Sequence, residues 1–148
     1  MGRLTPVITG KAVAFDTSPL IYYIEQNPQY QVVADDLFDA MDSGATRGMT
    51  SVLTLLEVLV QPLRSGQRDL ASQYRQVLEN SRGIRLLPVL SDTCEVSARL
   101  RAKYEWIRTP DAIQIATALQ NNAEMIVTND DRWRTLAEIP VVILRDYL

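Results

Sequence analysis

The sequence predicts an α/β fold in three layers, α/β/α, around a central five-stranded parallel sheet. Two observations carry this. Five short runs are apolar throughout rather than alternating, as strands covered on both faces are. Segments with helical spacing separate these runs, so strands and helices alternate along the chain. A chain of 148 residues without repeats, low-complexity tracts or linkers is expected to form one domain, 1–148, with residues 1–10 as an N-terminal extension.

The elements follow in order. Lys11 to Phe15 is a short apolar strand that ends in Asp16. Ser18 and Pro19 supply an N-cap and a first-turn proline for a helix to about Gln26. A second helix is predicted from about Tyr30 to Ser43, with Val33, Leu37, Ala40 and Met41 inward and Gly44 ending it. A strand near 46–50 leads into an unusually apolar helix from Ser51 to Gln61, stopped at Pro62. Leu70, Tyr74, Val77 and Leu78 mark a helix over about 67–80, and Ile84–Leu87 is the third strand. A helix over about 91–105 precedes Thr109-Pro110, which cap a helix to about Asn121. Met125–Thr128, a short helix near 132–137, and Val141–Leu144 complete the pattern.

Composition excludes several classes of function. No apolar stretch reaches the roughly 18 residues of a membrane span. The start, Met-Gly-Arg-Leu-Thr-Pro, has no apolar signal core, and Pro6 breaks the myristoylation pattern. The lone cysteine, Cys94, fits a reducing compartment, so the expected location is cytoplasmic. The absence of histidine removes imidazole acid–base chemistry, the Ser-His-Asp and Cys-His arrangements and the usual zinc sites. Any metal must then be held by oxygen ligands, which favours Mg²⁺ or Mn²⁺. The net charge of −3 provides no overall basic field, and arginine supplies every cationic side chain except Lys11 and Lys103.

Four carboxylates stand at the ends of apolar elements, where α/β sheets gather their ligands. Asp16 follows a buried strand; a helix cap is its ordinary role, but Ser18 and Pro19 already fill it. Glu57 lies in Val52-Leu-Thr-Leu-Leu-Glu-Val-Leu-Val60, a helix with little polar surface. An ionised carboxylate there is costly unless it is paired with an arginine or bound to a metal. Asp111 occupies the first turn of its helix, favoured by the helix dipole alone, yet borders the inward stripe of Ala112, Ile115, Ala116 and Leu119. Of the neighbours Asp130 and Asp131, the spacing Thr128-x-x-Asp131 fits a capping box, which favours Asp130 as the site residue and keeps Asp131 as the alternative fourth acid.

In this order and context the sequence resembles the PIN-domain nucleases, particularly the VapC-type toxins of bacterial toxin–antitoxin pairs. The matching segments are Phe15-Asp-Thr-Ser-Pro-Leu-Ile-Tyr22, Ser51 to Glu57, Asp111-Ala-Ile-Gln-Ile-Ala-Thr-Ala-Leu119, and Thr128-Asn-Asp130 with Trp133. The resemblance implies a metal-dependent endoribonuclease in which Asp16, Glu57, Asp111 and Asp130 surround one or two Mg²⁺ or Mn²⁺ ions. Asp16 and Asp111 would be direct ligands, with Ser18 and Thr128 positioning ligands from behind. Hydrolysis by in-line attack would leave a 5′-phosphate and a 3′-hydroxyl. The resemblance also implies an RNA substrate, a homodimer and an antitoxin that docks near the acidic pocket. Arg108 and Arg132 are either phosphate contacts or ion-pair partners of the acids. Trp106 and Tyr104 either stack on bases or pack.

Two other classes compete with the nuclease. A Mg²⁺-dependent phosphoacceptor or phosphatase domain shares the sheet, but the chain has no paired acids after the first strand and no lysine after Lys103. A non-catalytic PIN-like module that binds RNA or protein would differ only in turnover. No Gly-x-Gly-x-x-Gly follows the first strand, so dinucleotide binding is poorly supported.

Overall fold

A computed structural model describes residues 2–148. A short helix α1 (Thr5–Ile8) precedes β1 (Ala12–Phe15), α2 (Thr17–Ile24) and α3 (Gln31–Asp42). Then come β2 (Arg47–Ser51), α4 (Val52–Arg64), α5 (Arg68–Asn80), β3 (Ile84–Leu87), α6 (Ser91–Lys103) and α7 (Thr109–Gln120). The chain closes with β4 (Met125–Thr128), a 3₁₀ turn (Asp131–Thr135), β5 (Val141–Ile143) and a second 3₁₀ turn (Leu144–Tyr147). The five strands form one parallel sheet in the order β3-β2-β1-β4-β5.

That order creates a switch point. The chain builds outward from β1 through β2 to β3, then crosses back to lay β4 on the other side of β1. Crossovers on either side of β1 diverge there, leaving a crevice beyond the carboxyl ends of β1 and β4. Phe15 is in register with Val127, so Asp16 and Thr128 emerge side by side at its floor.

Strand alternation divides the core between the two faces. Val13, Phe15 and Val127 join Leu20, Leu37, Phe38, Tyr74 and Leu78 beneath α2, α3 and α5. Ala14, Met49 and Ile126 join Leu100, Ile107, Ile115, Ala116 and Trp133 beneath α6 and α7. The small residues Ala112, Ala116 and Ala118, all fully buried, let α7 lie close on the sheet. The residues ahead of β1 belong to the packing: Leu4 and Ile8 of the α1 segment are completely buried in the first core, and α1 packs on α3.

Several local expectations are corrected. Asp16, not Ser18, takes the N-cap position of α2, and Arg108, not Thr109, takes that of α7. Pro19 and Pro110 still fall in the first turn, where an absent N–H costs no intrahelical bond. Pro62 does not stop α4, which continues to Arg64. So near the end, the proline deprives one carbonyl of its donor, while the Ser65 N–H bonds to the Gln61 carbonyl at 3.0 Å and closes the last turn. The apolar surface of α4 is in part exposed: Val52, Leu56, Val60 and Leu63 form a stripe facing solvent, with Leu56 61% and Leu63 62% exposed. The short helix expected near 132–137 is instead a 3₁₀ turn one residue earlier. No helix is long and apolar enough to cross a membrane among the described residues.

Candidate functional site

The crevice beyond β1 and β4 opens into a cavity of about 590 Å³. Asp16, Glu57, Asp111 and Asp130 all line it, each delivered by a different segment, together with Ser18, Thr128, Gln114, Asn129, Asp131 and Arg145.

Asp16 occupies the N-cap of α2 but makes no capping hydrogen bond. Its carboxylate accepts instead from the Thr128 hydroxyl at 2.7 Å and the Ser18 hydroxyl at 3.2 Å. Burial pushes its carboxyl up to about 7; the two hydroxyls oppose that shift and the charge on Asp111 adds to it. Asp111, half-buried in the first turn of α7, is also raised by burial, with Asp130 and Glu57 adding repulsion and Arg132 opposing it. Glu57 is half-buried, because α4 keeps an exposed face, and accepts from the Thr17 hydroxyl at 2.9 Å. No cation pairs with Asp16, Glu57 or Asp111 among the described residues.

Asp130 is held differently. It caps the 3₁₀ turn by accepting from the Arg132 N–H, a task that the sequence pattern assigned to Thr128 and Asp131. Arg132 grips both carboxylate oxygens, Nε to Oδ1 at 3.0 Å and Nη2 to Oδ2 at 2.6 Å, and holds the carboxyl below its ordinary range. Thr128 points to Asp16 instead of acting as a cap, and Asp131 binds Arg134 and Arg145. Arg108 is exposed at the N-cap of α7 and does not line the cavity.

A buried chain of hydrogen bonds lies behind the acids. The Thr50 hydroxyl donates to the Phe15 carbonyl at 2.8 Å and lies 2.7 Å from the Thr54 hydroxyl, to which Gln114 Nε2 donates at 2.7 Å. Thr54 is one turn before Glu57 on α4, Gln114 one turn after Asp111 on α7, and Phe15 immediately precedes Asp16. The chain therefore fixes three acid-bearing elements against one another. Gln114 and Arg145 escaped the sequence reading. Gln114 is masked by its place within an apolar helical stripe, whereas Arg145, just past the last strand, could have been found by the strand-end rule that located the acids.

The donor set fits a hard cation, being carboxylate and hydroxyl oxygen without nitrogen or sulfur. Asp16, held near neutrality by burial in a cavity rich in like charge, is a group that a cation would ionise. Among the described residues, no three acidic side chains converge on one ready-made chelating point. The four acids surround the space from different segments of the chain.

A family model described as "PIN domain" matches residues 13–139. The chain belongs to the PIN-domain family. Solved structures similar to this PIN domain include a toxin–antitoxin complex from Klebsiella pneumoniae (23% identity, TM-score 0.66, covering 90% of this chain and 98% of that one). Another is VapBC2 from Rickettsia felis bound to a DNA fragment from their promoter (15%, 0.70, 89% and 98%). A third is VapC20 from Mycobacterium tuberculosis, described as a sarcin-ricin loop cleaving toxin (17%, 0.69, 87% and 99%). No curated protein matches the sequence.

Two outcomes are expected of this PIN domain. Gln114→Leu costs about 1–2 kcal/mol in urea denaturation, and a double-mutant cycle with Thr54→Val gives a coupling of about 1 kcal/mol; additive losses would show that the bond carries nothing. Because the folded state raises the Asp16 pKa to about 7, it holds a proton that the unfolded chain has already lost. Stability contributed at low pH is therefore lost as pH rises from about 4 through 7. In EDTA, Asp16→Asn should stabilise the fold by on the order of 2 kcal/mol at pH 8 and by almost nothing below pH 4; an equal effect at both would contradict the shift.

Proposed function

We propose that this protein is a metal-dependent endoribonuclease, the toxin of a toxin–antitoxin pair, with Asp16, Glu57, Asp111 and Asp130 as its acidic set. The observation that carries this reading is the convergence of those four carboxylates, from four segments far apart in sequence, on one cavity at the switch point of the sheet. Asp16 and Asp111 would hold Mg²⁺ or Mn²⁺ directly, with Glu57 and Asp130 farther out. Bound there, such an ion supplies an activated water near neutral pH and neutralises charge on the scissile phosphate.

The protein's own residues prepare that site. Thr128 and Ser18 orient Asp16, Thr17 orients Glu57, and the Gln114–Thr54 bond keeps α7 and α4 in register behind Asp111 and Glu57. The choice of RNA as substrate draws on the family and on the toxin similar to this chain that is described as cleaving the sarcin-ricin loop. An antitoxin partner draws on the toxin–antitoxin complexes among the similar structures. The exposed stripe of Val52, Leu56, Val60 and Leu63, on the helix that carries Glu57, provides apolar surface for it. A homodimer acting in the cytoplasm completes the proposal.

The test is cleavage of structured and single-stranded RNAs with Mg²⁺, Mn²⁺ or EDTA, wild type beside Asp111→Ala. Metal-dependent products with 5′-phosphate ends are expected, reduced roughly a hundredfold or more in the variant. Cleavage that persists in EDTA, or in the variant, would overturn the assignment.

A further inference from the structure

The five acids lining the cavity fall into two groups. Asp16, Glu57 and Asp111 pair with no cation among the described residues, whereas Asp130 and Asp131 each bind arginine. Asp130 gives both oxygens to Arg132, whose guanidinium lies 5.6 Å from the centroid of the Trp106 ring. Asp131 accepts from Nη1 of Arg145, and Arg145 Nη2 reaches the Asn129 carbonyl at 3.3 Å. Arg145 is the one basic side chain lining the cavity among the described residues.

These pairs are half-exposed, with Arg132 52% and Arg145 48% accessible, and pairs so exposed contribute little to stability. They do fix two long side chains that would otherwise be mobile. The fixed guanidinium groups also keep donors in reserve: Arg132 Nη1 has no acceptor among the described residues, and of the five N–H donors of Arg145 those that meet Asp131, Asn129 and Tyr30 leave others over. A polyanion meeting a cavity walled by carboxylates needs cations beside it, and preordered ones lose less entropy on binding.

We propose that Asp130 and Asp131 are positioning residues for two phosphate-binding guanidinium groups, Arg132 and Arg145, which hold an RNA strand beside the acid cavity. Metal binding is then left to Asp16, Asp111 and Glu57. The proposal rests on the nuclease reading and changes the part that Asp130 plays in it. Trp106 gives Arg132 a second support, since a guanidinium stacked on an indole face and tied to a carboxylate keeps one orientation.

The test uses the full chain and a fluorescein-labelled, mixed-sequence, single-stranded 24-mer RNA in EDTA, with anisotropy read over a range of salt. Arg132→Gln and Arg145→Gln should each weaken binding roughly five- to tenfold and lower the slope of log K against log salt by about 0.7. Asp130→Asn is the discriminating variant. Loss of a negative charge alone would tighten RNA binding, whereas loss of the hold on Arg132 should weaken it about threefold with the salt slope unchanged. By Mn²⁺ electron paramagnetic resonance, Asp130→Asn should keep its metal affinity within about twofold, while Asp111→Asn loses Mn²⁺ binding. Tighter RNA binding or lost Mn²⁺ affinity in Asp130→Asn would overturn the proposal, as would unchanged salt slopes in the arginine variants or no RNA binding by wild type. If Asp111→Asn kept its Mn²⁺ affinity, the nuclease reading itself would fail, whatever the arginines do.

Discussion

Three side chains, Thr50, Thr54 and Gln114, link the end of β1 to the two helices that carry Glu57 and Asp111, and the geometry of the cavity depends on that link. All three are almost completely inaccessible to water, so a broken bond would leave a buried polar atom without a partner. Apolar packing can hold α4 and α7 against the sheet, but it tolerates sliding. A buried hydrogen-bond chain does not, because a shift along either helix axis would break it. The interaction thus converts general burial into a particular placement of three carboxylates, each one residue or one helical turn from an atom of the chain.

The acids bring a cost that packing must cover. Asp16 is displaced upward in pKa by burial and by the charge on Asp111, and Asp111 by burial and by the charges on Asp130 and Glu57, so the neutral-pH fold carries carboxylates that would be easier to ionise in the unfolded chain. The hydroxyls of Thr128 and Ser18 offset part of this at Asp16 without bringing in a competing positive charge. Around the turn after β4 the fold uses the opposite device, arginines, and the cavity is therefore divided between an acid floor free of cations and a rim where acid and base alternate.

The sequence revealed the sheet because its strands are apolar throughout and its helices carry clean periodicity. Ile84–Leu87 and Met125–Thr128 were located to the residue. Helix starts were less legible: Ser18 and Thr109 resemble caps, but a cap depends on where the backbone leaves the extended region, and that point lies one or two residues earlier. The apolar character of α4 was visible while its cause was not. Periodicity alone cannot separate a helix buried all round from one with an apolar face turned outward, and the exposed Leu56 and Leu63 show that α4 is the second kind. Asp16 and Asp111 stand out by their positions at element ends, and Glu57, in the middle of α4, by its apolar neighbours. The pairing of Asp130 with Arg132 depends on the geometry of a 3₁₀ turn, which residue spacing does not reveal.

Anomalous diffraction from crystals grown with Mn²⁺ tests the central claim, that this fold assembles an oxygen-ligand metal site from separate elements, most directly. A peak within about 2.1–2.3 Å of carboxylate oxygens from both Asp16 and Asp111 is the expected result. No peak in the cavity at millimolar Mn²⁺, or one bound only by the exposed acids of α3, would contradict it.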